Sequence, residues 1–139
     1  MKALDLWLHF EPRIVGLCVL HHGGSEVKAR FQTGLVESGK SRVYEGLYVR
    51  VRYGKQPSWL GRDRWCFQEA LLEVAMQARQ QGFELWCAGM SPNWYETGLS
   101  SGSGYGYLRG REHEGACHIC NPLTPREGGA PRSGRSDNQ

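Results

Sequence analysis

The chain has 139 residues, of which 40% are hydrophobic, and a formal net charge of +3. This length suits one domain with its own core, and the hydrophobic fraction together with five tryptophans excludes a chain that is disordered throughout. The 17 basic residues are interspersed with 14 acidic ones, which argues against a dedicated nucleic-acid-binding protein, because such proteins concentrate positive charge on one face.

The five cysteines indicate a reducing compartment, because an odd number does not form a complete set of disulfides. Cys18, Cys66 and Cys87 lie in apolar segments, and we predict that they are buried free thiols. No secretory signal is recognisable, and the apolar run 14–20 is too short to span a membrane. The sequence therefore predicts a cytoplasmic protein with no membrane partner.

The first half of the chain predicts strands, because apolar and polar residues alternate along it. Glu11 and Pro12 interrupt the pattern, which predicts a break between the first two strands, and the second strand is apolar enough to be central in a sheet. A Gly-Gly turn then predicts a hairpin between the second and third strands. The predicted strands are 4–10, 14–22, 26–33 and 43–53, with a loop at 34–41.

Residues 61–82 are predicted to form one long helix, since their apolar side chains recur every three or four positions. Asp63 suits the helix N-terminus, and Gly82 suits the position just after its C-terminus. The alternating residues 83–90 predict a strand immediately after it.

The remainder of the chain reads as turns, short strands and a tail. A turn at 91–93 precedes a glycine-rich run at 98–106, and segments 105–109 and 116–121 are predicted to form a last hairpin. Residues 122–139 are rich in Pro, Gly, Ser and Arg and are predicted to be a disordered polar tail. The predicted fold is a single α+β domain over residues 1–121, with a mainly antiparallel sheet packed against the long helix.

One alternative function is a metal-binding protein or hydrolase. His113, Cys117 and Cys120 offer nitrogen and thiolate ligands of the kind that zinc prefers. If residues 116–120 form a strand, however, the two cysteines point to opposite faces, and an ordinary last strand is the simpler interpretation.

A second form of this alternative uses His21 and His22 as a catalytic pair, with Asp5 or Glu96 as a partner. The simpler interpretation is that these histidines are the polar end of a strand. A third hypothesis is RNA binding through Arg50 and Arg52, which share one face of a strand, although nearby acidic residues interrupt the basic stripe.

Aromatic residues flank the glycine-rich run, which lacks the spacing of a phosphate-binding loop. Aromatic side chains on loops are common anchors for protein partners, because they bury a large area at little entropic cost. The alternative is that they cover the core at an edge of the sheet. The residues concerned are Trp94, Tyr95, Tyr105 and Tyr107.

A resemblance adds to this interpretation. The sequence WLGRD at 59–63, the Ala- and Gln-rich helix that ends at Gly82, AGMSPNWYETGLS at 88–100 and GYGY at 104–107 resemble small bacterial immunity proteins. Those proteins are encoded beside toxins of contact-dependent inhibition and type VI secretion systems. The resemblance covers about residues 59–121 and implies a cytosolic protein that binds one toxin domain tightly, without a cofactor or catalysis of its own.

We therefore predict docking to a cognate toxin through the four loop aromatics, with Trp59 or Arg62 at the rim. Inhibitors of nucleases are often acidic, because opposite charge speeds association. The slightly basic charge of this chain predicts that the toxin is not a nuclease or that docking avoids its active site.

Overall fold

A computed structural model describes residues 7–96 and 103–123. Those residues form the predicted single α+β domain, in which a five-stranded antiparallel sheet packs against one helix and a second sheet has three short strands. The elements are β1 (Leu8–His22), β2 (Ser25–Ser38), β3 (Val43–Arg52), β4 (Trp59–Asp63), α1 (Phe67–Gln80), β5 (Phe83–Leu85), β6 (Trp94–Tyr95), β7 (Tyr105–Leu108) and β8 (Cys117–His118). Single 3₁₀ turns occupy Ala88–Met90 and Glu112–Glu114.

The large sheet has the strand order β4-β3-β2-β1-β5, and the small sheet has the order β6-β7-β8. β1 and β2 pair antiparallel along their whole length, which confirms the predicted hairpin. Its turn is formed by Gly23 and Gly24, whose φ angles of 59° and 81° suit glycine.

The predicted break at Glu11 and Pro12 is wrong, because β1 runs without interruption from Leu8 to His22. The register with β2 shifts between Pro12 and Ile14, so the chain absorbs the proline in a β-bulge. β1 lies inside the strand order, between β2 and β5, as predicted. Because β5 pairs only with Leu20–His22, the rest of β1 has a described neighbouring strand on one side only. Residues 4–6 of the predicted first strand lie outside the described residues.

The loop predicted at 34–41 is wrong as well, since β2 continues to Ser38 and the turn is confined to residues 39–42. Gly34 explains the error. A Cβ atom at this position would overlap the carbonyl oxygen of Glu11, so glycine is needed where the bulged part of β1 comes close. Here glycine marks a tight contact between strands and not a loop.

The helix is shorter than the sequence predicts, because Gly61–Asp63 belongs to β4 and α1 begins at Phe67. The carboxylate of Asp63 accepts hydrogen bonds from the backbone amides of Trp65 (3.0 Å) and Cys66 (2.9 Å), which turns the chain from the strand into the helix. Gly82, with φ of 87°, follows the last turn as predicted.

The strand predicted at 83–90 ends at Leu85, and the chain then leaves the sheet. The amide of Ala88 donates to the carbonyl oxygen of Asn121 at 2.7 Å, which ties this segment to the end of the domain. The predicted last hairpin is confirmed in a shorter form as β7 and β8, whereas strand β6 was not predicted.

The core lies between α1 and one face of the large sheet, which we call the inner face and which carries Leu47, Val49 and Val51. The buried side of α1 consists of Phe67, Ala70, Leu71, Val74, Ala75 and Ala78. Because side chains alternate along a strand, Arg30, Arg50 and Arg52 lie on the opposite, outer face.

Candidate functional site

The two histidines at the end of β1 point to opposite faces of the sheet, because they are adjacent in a strand. The His21 ring stacks on Trp86 and the His22 ring stacks on Phe83, each with 4.2 Å between ring centroids. The structure therefore does not bring them together as a catalytic pair. Asp5, one of the partners considered for them, lies outside the described residues.

The alternative zinc ligands have different surroundings. His113 is exposed, with its Nε2 atom 3.8 Å from a carboxylate oxygen of Glu114. Cys117 is partly buried on β8, whereas Cys120 is buried beyond the end of that strand. Over residues 7–96 and 103–123, no three His, Cys, Asp or Glu side chains are placed to hold one metal ion.

Three thiols are buried near one another in the core: Cys18, Cys87 and Cys120. Burial raises the pKa of Cys18 to about 12. Burial, followed by the effect of neighbouring thiols, raises the pKa of Cys87 and Cys120 well above the usual value. These thiols are therefore protonated at neutral pH and serve as packing groups, since the thiolate is the reactive form. The predicted burial is confirmed for Cys18 and Cys87, whereas Cys66 is only partly buried.

His118, which the sequence did not single out, is the one histidine in the core among the described residues, with 3% of its surface exposed. Its Nδ1 atom accepts a hydrogen bond from the backbone amide of Cys120 at 3.1 Å, and its Nε2 atom lies 3.3 Å from the hydroxyl oxygen of Thr33. The ring also stacks on Phe31. Burial lowers the pKa of His118 to about 4, so the ring is neutral at pH 7.

The predicted docking residues divide into buried and exposed groups. Trp59 and Trp94 are each 4% exposed and belong to the core, so their rings are not available at the surface that the docking prediction requires. Trp59 contacts the ring of Phe83 at 5.4 Å between centroids. Arg62 is exposed on β4, and its backbone amide donates to the carboxylate of Glu73 on α1.

The predicted tyrosines do come together. Tyr95 on β6 is directly opposite Tyr107 on β7, with ring centroids 5.9 Å apart, and Tyr105 is two residues earlier on the same face of β7. The guanidinium of Arg109 lies 5.6 Å from the centre of the Tyr95 ring. We call these four residues the tyrosine surface. Tyr105 and Arg109 are exposed, and the other two are partly exposed.

Glu112 fixes one edge of the tyrosine surface. The Tyr95 hydroxyl donates a hydrogen bond of 2.7 Å to the Glu112 carboxylate. This bond lowers the pKa of Glu112 and raises the pKa of Tyr95, because it favours the ionised carboxylate and the neutral phenol. The Tyr95 ring is therefore held in a defined orientation at neutral pH.

A second surface lies on the outer face of the large sheet. Side chains of β1, β2 and β3 border a groove of about 570 Å³ there. We call it the arginine groove and define it by Val15, Leu17, Arg30, Gln32, Arg50 and Arg52. The ion pairs found among the described residues involve Arg42, Arg111 and His113. None of them joins Arg30, Arg50 or Arg52 to a carboxylate.

The sequence placed Arg50 and Arg52 on one strand face, but it missed the rest of the groove. Arg30 and Leu17 lie beside Arg52 only because the register aligns their three strands. The second predicted strand carried no signal for these positions, because residues 14–20 are apolar on both faces and do not mark which face is buried.

No protein-family model, no curated protein and no solved structure matches this chain. Within the part of the chain that the structure describes, no helix combines the length and the apolar character needed to cross a lipid bilayer.

Proposed function

We propose that this chain is a protein-binding module of the immunity type that its sequence resembles, and that it holds a cognate toxin domain through the tyrosine surface. The observation that supports the proposal is the grouping of Tyr95, Tyr105 and Tyr107 with Arg109 on one side of the small sheet. Tyrosine and arginine are the residue types that carry much of the binding energy in protein interfaces.

The way these side chains are held also favours binding. The Tyr95 ring is restrained by Tyr107, by Arg109 and by the hydrogen bond to Glu112. A side chain that is already ordered loses less conformational entropy when a partner covers it. In this proposal the toxin is blocked because its surface is covered in the cytoplasm, and the chain carries out no reaction.

The environments of the reactive groups agree with a binding role. His118 is neutral and hydrogen-bonded in the core, and the buried thiols are protonated. His21 and His22 are each stacked on an aromatic ring and face apart.

The test is coexpression with the toxin domain encoded by the neighbouring gene. We expect the two proteins to copurify and growth to be restored. Tyr95→Ala and Arg109→Ala are each expected to weaken the complex by about 2 kcal/mol, or roughly thirtyfold in Kd, because truncation of interface tyrosines and arginines often costs this much.

The control is Met76→Ala, which removes a large exposed side chain from α1, away from the tyrosine surface. It is expected to leave Kd unchanged, and thermal unfolding of each variant will show that the fold is intact. A neighbouring gene product that neither binds nor harms growth would contradict the proposal, as would tight binding that survives both tyrosine-surface substitutions.

A further inference from the structure

We propose that the arginine groove and the adjoining free edge of β1 bind an extended acidic polypeptide segment, which adds to the sheet as a further strand. This site shares no residue with the tyrosine surface. The inference therefore goes beyond the proposed function and does not depend on it.

The backbone of β1 provides the first part of the site. β5 pairs with β1 only at Leu20–His22, and the amide of Trp86 adds one more bond, to the carbonyl oxygen of Val19 at 2.9 Å. Backbone groups of alternate residues point to the same side of a strand, so Leu17 and Val15 direct their N–H and C=O groups to this same edge. No described strand pairs with them there. Such a row of free donors and acceptors is a template for an added strand.

The side chains of the same two residues provide the second part. Val15 is 66% exposed and Leu17 is 58% exposed, and both lie on the outer face. Sheet edges are usually protected by proline, charge or a bulge. In β1 the bulge and Pro12 protect only the preceding stretch, so at residues 14–18 apolar side chains lie beside an edge that no described strand covers.

The arginines provide the third part and specify the charge of the occupant. Leu17, Arg30 and Arg52 form one row across three strands. Arg50 and Val15 are in the next row, with Gln32 between them. Neighbouring strands are about 4.8 Å apart, so an added strand would be about 10 Å from Arg30, a distance that an arginine and a glutamate side chain span together. Because these arginines have no carboxylate partner among the described residues, an acidic segment would supply the missing charge.

Other occupants fit less well. A second copy of this chain would bring its own arginines to the same sheet face, which like-charge repulsion opposes. Residues 124–139 contain three arginines but only two acidic residues, so they do not supply a net negative charge. Single-stranded RNA prefers exposed aromatic rings, whereas the exposed apolar side chains here are aliphatic and Tyr48 is fully buried.

The first measurement is residue-resolved amide exchange by NMR on the full chain. In the free protein we expect the amides of Val15 and Leu17 to exchange rapidly, because they point to the free edge. A short peptide of alternating glutamate and valine is expected to protect both amides. The same peptide with lysine in place of glutamate is expected to leave them unprotected.

The second measurement is the Kd of the labelled acidic peptide, obtained by fluorescence anisotropy. The double variant Arg30→Gln/Arg52→Gln is expected to weaken binding by about tenfold or more. Leu17→Gln is also expected to weaken binding, because it removes an apolar side chain at the edge without changing the charge. The matched controls are Arg79→Gln and Met76→Gln, which change exposed residues of α1. Both controls are expected to bind as the original chain does, and so is Tyr95→Ala, which alters only the tyrosine surface.

Four results would overturn the inference. The first is equal binding of the acidic and basic peptides, and the second is an oligouridylate that binds more tightly than the acidic peptide. The third is an unchanged affinity in the groove variants. The fourth is protection of the Val15 and Leu17 amides before any peptide is added. In the last case, protection that rises with protein concentration would identify a second copy as the occupant. Protection that is independent of concentration would identify a segment of the same chain.

Discussion

The backbone amide of Cys120 donates a hydrogen bond to Nδ1 of His118, which therefore carries no proton. The proton of the neutral ring is then on Nε2, where it faces the hydroxyl oxygen of Thr33 at 3.3 Å. Protonation of Nδ1 would place a positive charge in the core and would remove the acceptor of the Cys120 amide. Burial is the main reason that the pKa falls to about 4.

This shift makes stability depend on pH. The His118 pKa is about 4 in the folded chain and near 6.5 when the ring is exposed by unfolding, so the unfolded chain takes up a proton first as the pH falls. The contribution of neutral His118 is fully present above pH 6.5 and is lost as the pH falls toward 4. We expect this residue to account for a decrease of up to about 3 kcal/mol in the free energy of unfolding, measured by urea denaturation at each pH.

His118→Asn isolates the effect, because its side-chain oxygen can still accept the Cys120 amide but does not titrate in this range. The variant is expected to be less stable at pH 7 and to show a flatter dependence on pH between 6.5 and 4. His113→Asn, at the exposed histidine, is the control and is expected to retain the original dependence. An unchanged slope in His118→Asn would mean that the ring is accessible to protons in the folded chain.

Several differences between the predicted and observed boundaries of helices and strands occur at glycines. The sequence favoured a helix from residue 61, yet Gly61 is in β4, where a Cβ atom would overlap the carbonyl oxygen of Ala70 on α1. Gly89, which was predicted to be in the strand 83–90, lies instead in the 3₁₀ turn Ala88–Met90, where Ile119 and Leu71 fill the space that its Cβ atom would occupy. In each case glycine permits close packing between two different elements, and the spacing of apolar residues within one element carries no record of that contact.

Gly61→Ala tests this close approach of strand and helix. The added methyl group must displace α1 from the sheet, and we expect the free energy of unfolding to fall by about 3 kcal/mol. The measurement is urea unfolding followed by tryptophan fluorescence. Gly54→Ala is the control, since Gly54 has open space around it and only its φ of 61° to accommodate, at about 1 kcal/mol. Equal losses in the two variants would show that the contact between Gly61 and Ala70 is not tight.

The fold class, the β1–β2 hairpin and the last hairpin were predictable, because they follow from alternation, turn residues and one apolar helix stripe. The surfaces were predictable only in part. Sequence spacing brings Tyr105 and Tyr107 to one face, but their union with Tyr95 depends on the pairing of β6 with β7. Trp59 and Trp94 were predicted to be at the surface, because each lies beside a turn in the sequence. In the structure both are in the core.

The three buried thiols can report on unfolding of the whole domain, because they come from distant parts of the chain. Cys18 is in β1, Cys87 follows β5, and Cys120 follows β8. Cys87 also bridges to Pro122, so the end of the domain closes over the same part of the core. Exposure of all three thiols therefore requires β1, β5 and the segment after β8 to separate.

We accordingly expect two phases when the folded chain reacts with an excess of a thiol reagent such as DTNB. Cys66 and Cys117, which are partly exposed, should react first, and the three buried thiols should follow together at the rate of global unfolding. Cys66→Ser is expected to remove one equivalent from the fast phase and to leave the slow phase unchanged. If Cys120 reacted ahead of Cys18 and Cys87, the segment after β8 would open by itself, and the large sheet with α1 would be a stable unit without it.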